Sequence, residues 1–144
     1  MERIPSFSKN HDLLPVGLHV SMQMHGITTF DLRFKKPNGG DYVTPKALHT
    51  TEHLLATALR NSAEKDNVVY FGPMGCRTGY YLLTVNLTYA QVKELLIGCI
   101  REALALREIP GGKREECGNY LEHDLDGAKR DLAAYLAVLE ADHD

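Results

Sequence analysis

Apolar and polar residues alternate through 16–24, where Val16, Leu18, Val20, Met22 and Met24 are separated by Gly17, His19, Ser21 and Gln23. A period of two sends successive side chains to opposite faces of an extended chain, so this stretch predicts a strand with one buried face. His25-Gly26 is a turn signal, and Phe30, Leu32 and Phe34 then alternate with Thr29, Asp31 and Arg33. The pair predicts an antiparallel hairpin whose second face carries polar chemistry, closed off by Pro37-Asn38-Gly39-Gly40. Stretches 67–71 and 80–85 also read as strands, joined by a loop of glycines, Pro73 and Cys76. They are apolar at consecutive positions, which predicts a sheet covered on both faces, the second face by another subunit.

Elsewhere the period lengthens to that of a helix. Thr44 reads as an N-cap and Pro45 as a first helical residue, followed by an apolar stripe at Leu48, Leu55 and Leu59. Thr88-Tyr89-Ala90-Gln91 is a capping-box sequence, with apolar residues following at 92, 95, 96, 99, 100, 103 and 104. A final helix is expected over 127–141, with Leu132, Leu136 and Leu139 inward. The order ββαββαα, without a glycine fingerprint between strand and helix, predicts an α+β two-layer sandwich. In it an antiparallel sheet packs against helices in a single domain, 1–144.

Composition narrows the partners. Sixteen Lys and Arg stand against nineteen Asp and Glu, a net charge of −3, so no basic excess exists to displace counterions from a phosphate backbone. Nucleic acid is not an expected partner. No apolar run approaches the ~20 residues of a membrane span, and no membrane partner is expected. The three cysteines, Cys76, Cys99 and Cys117, are odd in number and far apart, and the first residues form no apolar leader, which points to a reducing cytoplasm. Cys99 lies inside the apolar stripe of its helix and reads as a core residue without a chemical role.

The chemistry concentrates in His49-Thr50-Thr51-Glu52-His53. Two histidines four residues apart on a helix point the same way, with Glu52 beside them. They supply two neutral donors, and a third would hold a divalent metal while leaving a fourth position open. Cys117, in a polar loop before Gly118, is the best third donor; the set suits zinc, iron or cobalt. Cys76 sits in Met74-Gly75-Cys76-Arg77-Thr78-Gly79, where Arg77 is expected to favour the thiolate. Glu52, not needed as a ligand, is placed to exchange protons with a bound substrate.

Four blocks resemble one family, the S-ribosylhomocysteine lyases or LuxS proteins: Phe30-Asp31-Leu32-Arg33-Phe34, His49-Thr50-Thr51-Glu52-His53-Leu54, Pro73 through Tyr81, and Glu116-Cys117-Gly118-Asn119-Tyr120. They occur in the family's order, and the similarity spans nearly the whole chain. The resemblance implies a LuxS/MPP-like metallohydrolase type of sandwich and a cytoplasmic homodimer with its active site near the interface. It implies cleavage of S-ribosylhomocysteine to homocysteine and dihydroxypentanedione, the autoinducer-2 precursor of quorum sensing, within the activated methyl cycle. By the same resemblance His49, His53 and Cys117 are metal ligands and Cys76 and Glu52 are the acid/base pair. Arg33 is a substrate-binding residue, and Ser6 and His11 are N-terminal residues reaching a neighbouring subunit's site. One divalent metal per subunit is implied, iron(II) in the cell, with zinc and cobalt as the other choices. The implied mechanism combines Lewis-acid polarisation of the sugar carbonyl, carbonyl migration by Cys76 and β-elimination assisted by Glu52.

The sequence departs from the family pattern at Tyr70, where relatives often carry an aspartate, which puts one polar substrate contact in doubt. A rival reading also stands, because His-x-x-Glu-His is the inverzincin arrangement of metallopeptidases. That chemistry requires a downstream carboxylate such as Glu122 as third ligand and has no use for Cys76.

Overall fold

The structure, a computed structural model, describes residues 1–142. Four strands, β1 (Gly17–Met24), β2 (Ile27–Arg33), β3 (Val68–Pro73) and β4 (Gly79–Val85), form one antiparallel sheet in the order β1-β2-β4-β3. Three helices, α1 (Pro45–Arg60), α2 (Tyr89–Ala105) and α3 (Leu125–Ala141), pack on one another, and α1 and α3 also pack on the sheet. The α+β arrangement anticipated from the period changes is therefore present. His25 and Gly26 both have positive φ, 55° and 77°, the backbone of the tight hairpin turn that joins β1 to β2.

One expectation for β1 fails. Only Leu18 is buried there; Val20 and Met24 are about half exposed. A bulge between Val20 and Met22 inserts one residue against β2 and reverses the alternation beyond it, so Met22 lies opposite Thr29 rather than sharing the face of Leu18.

On β4, Tyr80, Leu82 and Thr84 are buried towards the helices, while Tyr81, Leu83 and Val85 are half-buried on the opposite face. The N-terminal segment crosses part of that second face. With Met22, Thr29, Tyr70 and Leu83, its residues Ile4, Pro5 and Ser6 line a mainly apolar cavity of about 340 Å³.

The helices begin where their caps dictate. The Thr44 hydroxyl accepts from Ala47 N–H ahead of Pro45, and Thr88 and Gln91 satisfy each other's backbone N–H groups. α3 starts two residues earlier than its apolar stripe suggests, because Asp124 caps it by accepting from Gly127 N–H. The core lies between the helices and the sheet face of Phe30, Leu32, Tyr80 and Leu82. Among the described residues no helix is long and apolar enough to cross a membrane.

Candidate active site

His49 and His53 project from one face of α1, their ring centroids 4.7 Å apart and their planes at 84°. Each ring is fixed from behind by the connection between α2 and α3. His49 Nδ1 donates to the Glu122 carbonyl at 2.7 Å, and His53 Nδ1 donates to the Pro110 carbonyl at 2.9 Å. A carbonyl only accepts, so the ring proton resides on Nδ1 and each Nε2 presents its lone pair. Cys117 Sγ lies 3.4 Å from His49 Nε2 and 3.9 Å from His53 Nε2. Those separations bracket the roughly 3.6 Å edge between sulfur and nitrogen in a tetrahedral site with ordinary metal–ligand bonds. The Pro110-Gly111 turn is what holds His53. Gly111 has φ of +66° and sits against that ring, a backbone shape that favours glycine.

Sequence reasoning missed His123. Its Nε2 is 3.9 Å from Cys117 Sγ, and the donor atoms of His49, His53, Cys117 and His123 lie within 4.8 Å of one another, close enough to hold one ion. The orientations sort the four. His123 and His49 are face-stacked, with centroids 4.0 Å apart and planes at 18°. An imidazole lone pair lies in its ring plane, so two stacked rings cannot both aim at a single ion. His49 and His53 present Nε2 to Cys117 Sγ from α1, and His123 lies beside them, its Nδ1 hydrogen-bonded to the Thr50 hydroxyl at 2.8 Å. Burial, then the neighbouring His49 and His53, hold His123 below the usual histidine range, which keeps it neutral. No periodic signal marks a residue that simply precedes a helix cap.

The donor set, one thiol and two imidazoles with inward lone pairs, fits a divalent metal with one position left open. Glu52 is half-buried and shares with His53, Phe71 and Pro110 a cavity of about 280 Å³ beside the cluster. Glu122 does not join it. Its carboxylate accepts from the Asn119 side chain at 3.0 Å and only its backbone touches His49.

Cys76 is exposed and lines a different cavity, of about 390 Å³, together with Ser6, His11, Arg33 and Tyr81. The structure thus brings Ser6 and His11 to the Cys76 of their own chain. Arg33 is 1% exposed, and its guanidinium is gripped by Asp31, with Nε to Oδ1 at 3.1 Å and the second terminal nitrogen to Oδ2 at 2.5 Å. Lys9 adds a second cation to Asp31 at 3.2 Å. Tyr81, another residue sequence reasoning passed over, has its hydroxyl pushed up by burial and then by Asp31, so it enters this pocket as a neutral phenol.

Arg77 does not act as expected. It adopts φ of +61°, and its guanidinium turns away to the Val43 carbonyl at 3.2 Å and the ring of Tyr42. The cation near Cys76 is Arg33, one of whose terminal nitrogens is 4.0 Å from Sγ. Gly79 permits this arrangement, since a Cβ there would collide with the Leu32 carbonyl oxygen and push the loop away from β2.

The two clusters lie in different layers. His49, His53 and Glu52 belong to the helix layer, whereas Asp31 and Arg33 alternate with the core residues Phe30 and Leu32 and so lie on the other sheet face with Cys76.

The chain matches the family described as S-Ribosylhomocysteinase (LuxS) over residues 4–143. It is 43% identical over 148 residues to the S-ribosylhomocysteine lyase of Borreliella afzelii (strain PKo), covering 96% of this chain and 93% of that protein. To the S-ribosylhomocysteine lyase of Phocaeicola vulgatus it is 45% identical, covering 97% and 92%. To that of Finegoldia magna it is 40% identical, covering 96% and 92%.

Proposed function

The chain belongs to the S-ribosylhomocysteinase (LuxS) family, and on that premise we propose that it is a carbon–sulfur lyase cleaving S-ribosylhomocysteine to homocysteine and dihydroxypentanedione. The observation that carries this reading is the gathering of two carbonyl-anchored imidazoles around Cys117 Sγ, with a carboxylate beside them and a separate exposed thiol available as a proton carrier. A metallopeptidase finds no support, because Glu122 is occupied with Asn119 and the matched relatives are lyases.

His49, His53 and Cys117 would hold the metal, iron(II) in the cell, with zinc or cobalt accommodated by the same donors. When bound, the metal supplies Lewis-acid polarisation of a sugar carbonyl. Cys76 carries the proton that must leave one carbon and return to the next as the carbonyl moves along the ribose. Glu52 performs the proton transfers of the later enolisation and elimination, in which the carbon–sulfur bond breaks and homocysteine leaves as a thiol. Ser6, His11 and Arg33 line the pocket in which the substrate meets Cys76.

Since Cys76 lines one cavity and Glu52 with His53 another, we assign the complete site to a homodimer. The half-covered sheet face with Met22, Tyr70 and Leu83 is the surface on which the partner sits. The two-layer arrangement carrying His-x-x-Glu-His on its first helix supports the LuxS/MPP-like type of fold, and the unpaired thiols Cys76, Cys99 and Cys117 support a cytoplasmic setting. Incubating the purified protein with S-ribosylhomocysteine and trapping the released thiol tests the activity; absence of thiol release from metal-loaded protein would refute it.

A further inference from the structure

The loop that carries Cys76 is fixed by several backbone hydrogen bonds. Phe34 N–H and Lys35 N–H both donate to the Thr78 carbonyl at 2.9 Å, Val43 N–H donates to the Arg77 carbonyl at 2.9 Å, and Met74 N–H donates to the Gly79 carbonyl at 2.9 Å. Thr78 is thereby immobilised and 2% exposed, and its side chain points at two partners. Arg33 donates to Thr78 Oγ1 at 2.7 Å, and Thr78 Oγ1 lies 3.1 Å from Cys76 Sγ.

The direction of these bonds follows from the donor inventory. A guanidinium has no lone pair to offer, so the hydroxyl must accept from Arg33. Its single proton is then free for another acceptor, and the sulfur of Cys76 is the one within reach. Arg33 in turn cannot swing away, because Asp31 holds its other edge in a two-point grip with both residues buried. Direct contact between Arg33 and the sulfur is weak, at 4.0 Å, whereas the route through the hydroxyl is made of two short bonds.

We infer that Thr78 is a positioning residue for Cys76, a hydroxyl polarised by Arg33 and aimed as a donor at the thiolate. The chain Asp31–Arg33–Thr78–Cys76 makes Arg33 act on the sulfur of Cys76 through an intermediary, in addition to walling the substrate pocket. A hydrogen bond into an ion favours the charged form of its acceptor, and bonds in series polarise one another. The inference rests on the reading of Cys76 as the proton carrier, but its test does not depend on turnover.

Full-length, metal-loaded protein is alkylated with iodoacetamide at pH 7, and the rate at Cys76 is followed by peptide mass spectrometry for wild type, Thr78→Ser and Thr78→Val. One charge-assisted bond changes the thiolate fraction roughly ten- to a hundredfold, and the compensating rise in nucleophilicity of the freed sulfur offsets about half of that on a logarithmic scale. Thr78→Val should therefore react roughly three- to tenfold more slowly, and Thr78→Ser, which keeps the hydroxyl, should stay within about twofold of wild type. A wild-type rate in folded Thr78→Val overturns the inference.

Should the valine variant not fold, the wild-type protein itself provides the test. The Thr78 hydroxyl proton should give a slowly exchanging NMR signal that moves when Cys76 is alkylated, and a signal indifferent to alkylation, or none, overturns it. Loss of lyase activity alone, with wild-type alkylation in Thr78→Val, would count against Thr78 and leave the proposed function standing.

Discussion

Replacing Cys117 by alanine, with His123→Phe as its partner experiment, separates the metal donors by geometry. Cys117 Sγ stands 3.4 Å and 3.9 Å from the two carbonyl-anchored Nε2 atoms, so its removal takes one of three protein donors and the only anionic one. Structural zinc sites with four protein ligands bind with about 10–16 kcal/mol at neutral pH, or about 3–4 kcal/mol per ligand, so Cys117→Ala should weaken binding roughly 10²–10³-fold. His123→Phe keeps a ring stacked on His49 and loses the hydrogen bond to the Thr50 hydroxyl and a 3.9 Å approach to the sulfur. Its cost should be that of an outer contact, about tenfold. The assay is metal content by elemental analysis after dialysis against a weak chelator, with cobalt-loaded protein examined for the sulfur-to-metal charge-transfer band. Cys117→Ala should lose both metal and band, and His123→Phe should retain about one metal per chain and the band. Full retention in Cys117→Ala would sink the assignment, and equal loss from the two variants would make His123 a ligand and overturn the ring-plane argument.

Asp31→Ala leaves the buried Arg33 charge unpaired and should destabilise the fold by about 3–5 kcal/mol, lowering the melting temperature by roughly 10 °C; a loss under about 1 kcal/mol in urea titration would refute the buried pair's role. Leu83→Asp, on the half-covered sheet face, should give a folded monomer by sedimentation, whereas Leu82→Asp, fully buried under the helices, should not fold; a wild-type chain that sediments as a monomer at micromolar concentration would remove the dimer altogether. Cys76→Ala and Glu52→Gln should both keep metal and lose turnover by at least ~10²-fold, but by NMR in deuterium oxide only the first should abolish exchange of the sugar's α proton. Near wild-type homocysteine release from Cys76→Ala would overturn the proposed mechanism.

Much of this protein is decided locally, and so could be read from the order of its residues. A helix needs only its cap, its stripe and its turn spacing, which is why Thr44 before Pro45 and the pair His49 and His53 are legible from spacing alone. Strand alternation likewise announces the polar face of Asp31 and Arg33. Even there a local irregularity intervenes: the bulge after Val20 leaves no composition signal, yet it reverses the facing of every later residue in β1.

What the order of residues could not decide are contacts between segments far apart in the chain, since a side chain's partner depends on how whole elements pack. Which arginine serves Cys76 is such a case. Arg77 is its neighbour in sequence, but a positive φ sends it to Tyr42, while Arg33, 43 positions away, arrives by β2 pairing with β4. His123 is another, brought against His49 only because α3 packs on α1 and the Thr50 hydroxyl holds it. The tertiary structure also decides that Cys76 lines one cavity and Glu52 with His53 another, a separation invisible to motif spacing because strand pairing and helix docking together set which surface each loop reaches.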